Sequence, residues 1–222
     1  SRFKITAQLT FMAAFISCLI GIPLGILSAL KRNSWVDGII RVIALLGVSV
    51  PGFASATLLI LFLSLVFQYY PPVGYVGFFE VPSVNMQIMI LPSVILGTSM
   101  SGSVMRMTRS SVLEILRQDF IKTIRAKGAP EKIVIFTHAL KNGLIPIITL
   151  IGMQIGSLLG GAVVTEQIFS IPGLGLMTLT AINQRDYPVI QGCVLFIAFI
   201  YVMVNLLVDI LYTYVDPRIT YK

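Results

Sequence analysis

Charge is scarce in this chain of 222 residues: Asp, Glu, Lys and Arg make up 11% of it, against about 25% in a soluble domain. Between Arg41 and Arg106 a single charged residue, Glu80, interrupts the run. A water-facing globule is excluded on that ground. With 56% hydrophobic residues and a mean hydropathy of +0.93, so is a disordered or collagen-like chain. Cysteine is nearly missing. Cys18 and Cys193 each sit inside a long apolar run, too few and too far apart for a disulfide scaffold or a thiolate metal site, and read as small buried hydrophobes. The one histidine, His138, has no Cys, His or carboxylate cluster around it, which argues against catalysis and metal binding. A phosphate-cradling GxxxxGK[ST] segment is missing as well, so any nucleotide has to bind elsewhere. The first apolar stretch is too long for a signal-peptide core and carries no processing pattern.

What the chain has is long apolar runs. A hydrocarbon core of ~30 Å takes about 20 apolar residues as helix. Five stretches reach that length, at about 6–30, 39–67, 86–104, 144–164 and 189–212. They predict an all-α, polytopic membrane bundle forming one domain over residues 1–222. Pro23, Pro51, Pro92 and Pro146 lie in or near the spans, where neighbouring helices can satisfy the freed carbonyls. Five spans sort the loops into two sides. The 31–41 connection, the 105–142 loop and the C-terminus hold 13 of the 16 basic residues, and the opposite side holds Arg2, Lys4 and Arg185. The positive-inside rule places the first side in the cytoplasm. The formal charge of +7 is then an orientation signal. Nucleic-acid binding explains it less well, because the basic residues border spans and lack interleaved aromatics. The N-terminus falls outside, so one further helix is expected before residue 1.

The 105–142 loop is long for a connection in a compact bundle, and long loops are more often functional. It predicts two short helices around a Gly128-Ala129-Pro130 turn, with Pro130 suited to the first position of the second helix and Glu131 to its first turn. In that second helix Ile133, Phe136 and Leu140 fall on one apolar stripe, with Lys132 and Lys141 off it. Such a hairpin suits docking into a groove on a cytosolic partner, or equally lying on anionic lipid. The fourth span stacks Gly152, Gly156 and Gly160 on one face, for close helix packing or for a pathway that Thr149, Gln154 and Ser157 would keep wet. Asp209 is the one acid well inside the fifth span, near its cytoplasmic end.

Several ordered motifs resemble those of binding-protein-dependent ABC import permeases, in the peptide and nickel branch. Arg125-Ala126-Lys127-Gly128, followed after nine intervening residues by the segment His138-Ala139-Leu140-Lys141-Asn142, is similar to that family's coupling loop, although Lys122-Thr123-Ile124 stands where the general pattern has Glu-Ala-Ala. Gly21-Ile22-Pro23-Leu24-Gly25, Gly47-Val48-Ser49-Val50-Pro51 and Met105-Arg106-Met107-Thr108-Arg109-Ser110-Ser111 resemble the segments before it. Thr165-Glu166-Gln167-Ile168-Phe169, Ile171-Pro172-Gly173-Leu174-Gly175, Arg185-Asp186-Tyr187-Pro188 and Asp216-Pro217-Arg218 resemble those after it.

The resemblance implies the transmembrane domain of a type I importer. This chain would be one permease half, working with a second permease subunit, two cytosolic ATPase subunits that bind ATP and magnesium, and an external binding protein. It would hold no cofactor or metal and do no covalent chemistry. Within the loop, Gly128 would make the turn, Ala126 and Ala129 close approach, and Glu131 and His138 polar fixing contacts, with Arg125, Lys127, Pro130, Ala139, Leu140 and Asn142 completing the coupling surface. Glu166, Pro172, Gly173, Arg185 and Asp186 would belong to an external segment facing the pathway or the binding protein. Peptide is the first substrate expectation and nickel the second. A secondary transporter or channel would need charged relays or inverted repeats, and an intramembrane enzyme would need a nucleophile paired with a base. The sequence shows neither pattern.

Overall fold

The computed structural model describes residues 2–215, so the Asp216-Pro217-Arg218 motif and the end of the chain lie outside the described residues. The described residues form helices and no strands. In order they are α1 (Arg2–Leu30), α2 (Trp35–Ser49), α3 (Gly52–Phe67), α4 (Pro82–Leu116), α5 (Asp119–Ala126) and α6 (Glu131–Ile133). A π-helical stretch, Val134–Leu140, follows, then α7 (Lys141–Gly161), α8 (Val163–Ile168), α9 (Leu174–Gln184) and α10 (Tyr187–Val215).

Four helices are long and apolar enough to cross a membrane: Arg2–Leu30, Pro82–Leu116, Glu131–Gly160 and Tyr187–Ile210. The apolar stretch at 39–67 is not one rod. It breaks into α2 and α3, which meet at 99°, and counts as a fifth crossing only if the bent pair is taken together. Pro51 is the cause. Its ring lacks an N–H and pushes the preceding residue out of the helical region, and Val50 is accordingly extended, at φ −84° and ψ 120°. The loop expected to start at residue 105 starts later, because α4 continues to Leu116.

The bundle is organised around α1 and α4. A Cβ on Gly21 would lie 2.7 Å from Val104 Cβ, and one on Gly25 2.6 Å from Thr108 Cβ, so the two backbones touch through these glycines. Those pairings advance together along both helices, so α1 and α4 run parallel. On the other side α7 and α10 run antiparallel, with Gly152 against Val208, Gly156 against Tyr201 and Gly160 against Ile197. Apolar clusters fill both ends of the seam. Ile5, Leu9, Ala56, Met89 and Ile171 form one, and Ile26, Ala29, Val112 and Ile135 the other. The outer faces of α3 and α10 stay apolar and uncovered, as in Leu65 at 74% and Leu195 at 71% exposure. An aqueous globule would not carry so large a hydrophobic surface; the lipid phase accepts it.

Candidate functional site

The hairpin between α4 and α7 is built from its turn outward. Gly128 sits at φ +81°, in the left-handed region that favours glycine, and a Cβ there would meet nothing within 4 Å. Pro130 caps the second arm in extended conformation, and Glu131 opens it. Across the turn the Arg125 guanidinium grips Glu131 with Nε 3.2 Å from Oε2 and Nη2 on Oε1, which locks the two arms together. This partner of Glu131 was not foreseen from its place in the first helical turn. Ala126, Lys127, Gly128 and Pro130 are exposed, and Ala129 is half-buried.

The second arm is not a separate short helix. It runs through Val134–Leu140 straight into α7. The wider π turn changes the register, so the buried residues are Val134, Ile135 and Ala139 rather than the expected stripe of Ile133, Phe136 and Leu140. Ile133 and Phe136 point outward at 45% and 58% exposure, and Leu140 packs half-buried beside Ile135. Asn142 Nδ2 donates at 2.6 Å to the His138 carbonyl, which also accepts from the Lys141 backbone N–H. The His138 ring is half-buried and makes no hydrogen bond to the described residues. Ile135 belongs to the cluster of Ile26, Ala29 and Val112, so the hairpin is rooted in α1 and α4 while its tip is free. The tip is apolar and basic together: Phe120, Ile133 and Phe136 stand out among Lys122, Arg125, Lys127 and Lys132.

The segment 165–187 is a second constructed unit, folded as α8 and α9. Glu166 is fully buried. One carboxylate oxygen accepts from Thr6 Oγ1 at 2.6 Å and the other from the Leu176 backbone N–H at 2.8 Å, while Thr6 Oγ1 accepts from Leu174 N at 2.9 Å. Burial pushes the Glu166 carboxyl up from its ordinary value, against the lowering effect of these donors. A Cβ on Gly173 would fall 2.2 Å from Glu166 Oε1, so the carboxylate fits only where that side chain is missing. Pro172 accepts from Arg2 Nη1 through its carbonyl at 3.0 Å. Arg185 ends α9 at φ +58°, and Asp186 Oδ1 accepts from Val189 N at 3.2 Å, capping α10. Arg185 and Asp186 therefore shape the α9–α10 corner.

The structure puts Gly152, Gly156 and Gly160 against α10. It also builds two clusters that the sequence reading missed. Asp37, fully buried, receives Arg109 through Nε at 2.8 Å and Nη2 at 2.9 Å, Ser28 Oγ at 2.6 Å and the Asn33 backbone N–H at 3.0 Å. The signal available was that Asp37 is the only acid in the first 79 residues, three positions after the capping Ser34. Toward the other end, Gln8 and Asn85 pair amide to amide, with Tyr75 OH donating to Gln8 Oε1 at 3.1 Å. Gln8 and Tyr75 border a cavity of about 920 Å³ that Lys4, Met12, Phe78 and Glu80 also line.

Comparison with known proteins converges on one group. A family model described as binding-protein-dependent transport system inner membrane component matches residues 21–221. A dipeptide transport system permease protein of Alkalihalophilus pseudofirmus is 44% identical over 236 residues, covering 97% of this chain and 71% of its own length. Its Escherichia coli K12 counterpart is 41% identical over 244 residues, covering 100% of this chain and 72% of its own. Among solved structures, a chain of the MetNI methionine ABC transporter in inward-facing conformations superposes with a TM-score of 0.77 at 18% identity, over 96% of this chain and 93% of that one, and shares its fold.

Proposed function

The chain belongs to the family of binding-protein-dependent transport system inner membrane components, and on that premise we propose that it is the permease half of an ATP-driven peptide importer. It spans the membrane several times, forms one side of the translocation pathway, and takes its driving force from cytosolic ATPase subunits that bind ATP with magnesium. A second permease subunit completes the pathway, and an external binding protein delivers the peptide. The basic side, with the hairpin and the C-terminus, faces the cytoplasm.

One observation carries the reading. The hairpin's tip exposes Ile133 and Phe136 among basic side chains, while its root, Ile135, lies in the core with Ile26 and Val112. A partner that pushes on the tip therefore moves α1, α4 and α7 as a packed body, and interfaces of this kind switch between discrete arrangements. Peptide as cargo rests on the named dipeptide permeases at 44% and 41% identity.

The test is a disulfide cross-link from Ala126→Cys to cysteines scanned over the candidate ATPase, in membranes. A specific cross-link that changes with ATP is expected. An accessible Ala126→Cys that links to no ATPase would move a self-contained channel or secondary transporter to the front. The cargo is read separately, in proteoliposomes holding the whole importer and its binding protein. Dipeptide uptake is expected, and nickel uptake in its place would overturn the peptide assignment alone.

A further inference from the structure

Three arginines converge where α2 meets α4. Arg41, Arg106 and Arg109 line one cavity of about 240 Å³ with Leu45 and Ser110, and Arg106 and Ser110 continue into a neighbouring one of about 380 Å³ with Ser103, Met107 and Leu150. One carboxylate, Asp37, answers them. It lies fully buried behind the cavity, with both oxygens held by Arg109. Arg41 reaches the same acid only at the margin, with Nε 3.6 Å from Oδ1 and donating to the Asp37 carbonyl at 3.4 Å, and its side chain is 54% exposed. Arg106 is exposed and makes no ion pair or hydrogen bond to the described residues. Among the described residues, three positive charges against one negative leave the cavity with an excess of two, and the Arg106 guanidinium is without a partner.

Depth and surroundings narrow the occupant. Arg106 comes two residues after the apolar stretch ending at 104, and Arg41 two residues after the stretch starting at 39. Both guanidinium groups thus lie at the edge of the hydrocarbon, on the side where 13 of the 16 basic residues gather. Directly beside Arg41, Val42, Leu45 and Leu46 are exposed at 56%, 51% and 57% and form an apolar strip running into the membrane. A fork of donors at headgroup depth above an acyl-sized strip matches a phospholipid, since planar guanidinium pairs bind phosphate oxygens bidentately and basic pockets between spans hold anionic headgroups. We propose that Arg41, Arg106 and Ser110 form a binding site for the phosphodiester of an anionic phospholipid, seated between α2 and α4. Arg109 is the positioning residue: bound to Asp37, it fixes the α4 face from which Arg106 and Ser110 project. Nothing in this site depends on the cargo.

The test uses the assembled importer exchanged into equimolar phosphatidylglycerol and phosphatidylcholine, with retained lipid counted by native mass spectrometry. The wild type retains phosphatidylglycerol preferentially, and Arg41→Gln/Arg106→Gln weakens that retention about 30-fold. Arg41→Lys/Arg106→Lys keeps the charges but not the forks, and falls between the two. Equal retention by wild type and the glutamine variant overturns the site. Should that variant fail to assemble, Ser110→Ala and Arg106→Lys are read in the same assay, and unchanged retention in both overturns it. Inorganic phosphate is added as a competitor: displacement of the lipid at millimolar phosphate assigns the cavity to a soluble anion and overturns the lipid assignment, as does displacement by dipeptide. Because the readout is lipid retention, a failure here leaves the transport reading intact, and a failure of transport leaves this site standing.

Discussion

Gly173 and the Glu166 carboxylate occupy the same few ångströms, and this sets the first expectation. Gly173→Ala puts a methyl 2.2 Å from Oε1, in a place where the carboxylate is held from two other directions. Overpacking of this sort costs about 1–3 kcal/mol, read as a lower melting temperature of the assembled permease; an unchanged melt would show that the clamp is loose. Glu166 also makes stability depend on pH. Its carboxyl is raised in the folded state by burial, so the folded chain holds that proton more tightly than the unfolded chain. Its contribution is fully favourable below the ordinary value, declines as pH rises through the raised one and is constant above it. Glu166→Gln should flatten that part of the melting-temperature profile, and a profile that keeps its slope would place the titrating group elsewhere. Thr108 gives the opposite sign of effect. Its hydroxyl is buried with no hydrogen-bond partner among the described residues, while its carbons pack on Gly25. Thr108→Val keeps the shape and removes an unpaired polar group, and should stabilise the α1–α4 seam by about 1 kcal/mol in a denaturation series.

At the scale of elements the hairpin is where folding and the proposed coupling can be told apart. Gly128 has open space around it, so Gly128→Ile meets no clash; it meets backbone strain of about 1–3 kcal/mol at φ +81°. Insertion and assembly should survive while ATP-driven uptake falls. Normal uptake by a correctly assembled Gly128→Ile protein would remove the hairpin from the coupling role. The turn was legible in the sequence because Gly128-Ala129-Pro130 states it in local chemistry. The four long spans were legible for a similar reason, since length and hydropathy suffice. The register of the second arm was not, because a π turn adds its extra residue without any residue type that marks it, and the expected stripe of Ile133, Phe136 and Leu140 turned partly outward. The bend at Pro51 lay in plain view, yet a run of apolar residues on both sides hid it within one apparent span. The glycine ladder of α7 was visible as a stripe, but only the fold says what it touches. Packed on Tyr201, Gly156→Leu should push α7 from α10 and lower the yield of assembled permease.

On the scale of the molecule the decisive contacts join positions far apart in the chain. Asp37 and Arg109 are 72 residues apart, and no local pattern pairs them. Together with Ser28 they tie α1, α2 and α4 at one end of the bundle, as Thr6 and Glu166 tie α1 to α8 and α9 at the other. Helix α1 therefore carries a polar lock at each end, with the hairpin rooted beside one of them through Ile26, Val112 and Ile135. The two partners of the Asp37 lock are unequal. Asp37 is fully buried, whereas the Arg109 side chain is 21% exposed and can turn toward water. Arg109→Ala leaves a carboxylate buried behind α2 with Ser28 and Asn33 as its remaining close donors, and breaking a buried pair in this direction costs about 3–5 kcal/mol. Asp37→Asn leaves an arginine that has a route to solvent, and should cost less. Removing both charges, as Asp37→Asn with Arg109→Ala in one chain, eliminates the desolvated ions and should recover much of the loss of Arg109→Ala. Denaturation of the four proteins as a double-mutant cycle checks this order. If Arg109→Ala and Asp37→Asn destabilise equally and the double variant equals their sum, the two residues act independently, and the tie between α1, α2 and α4 must be carried by the apolar seam alone.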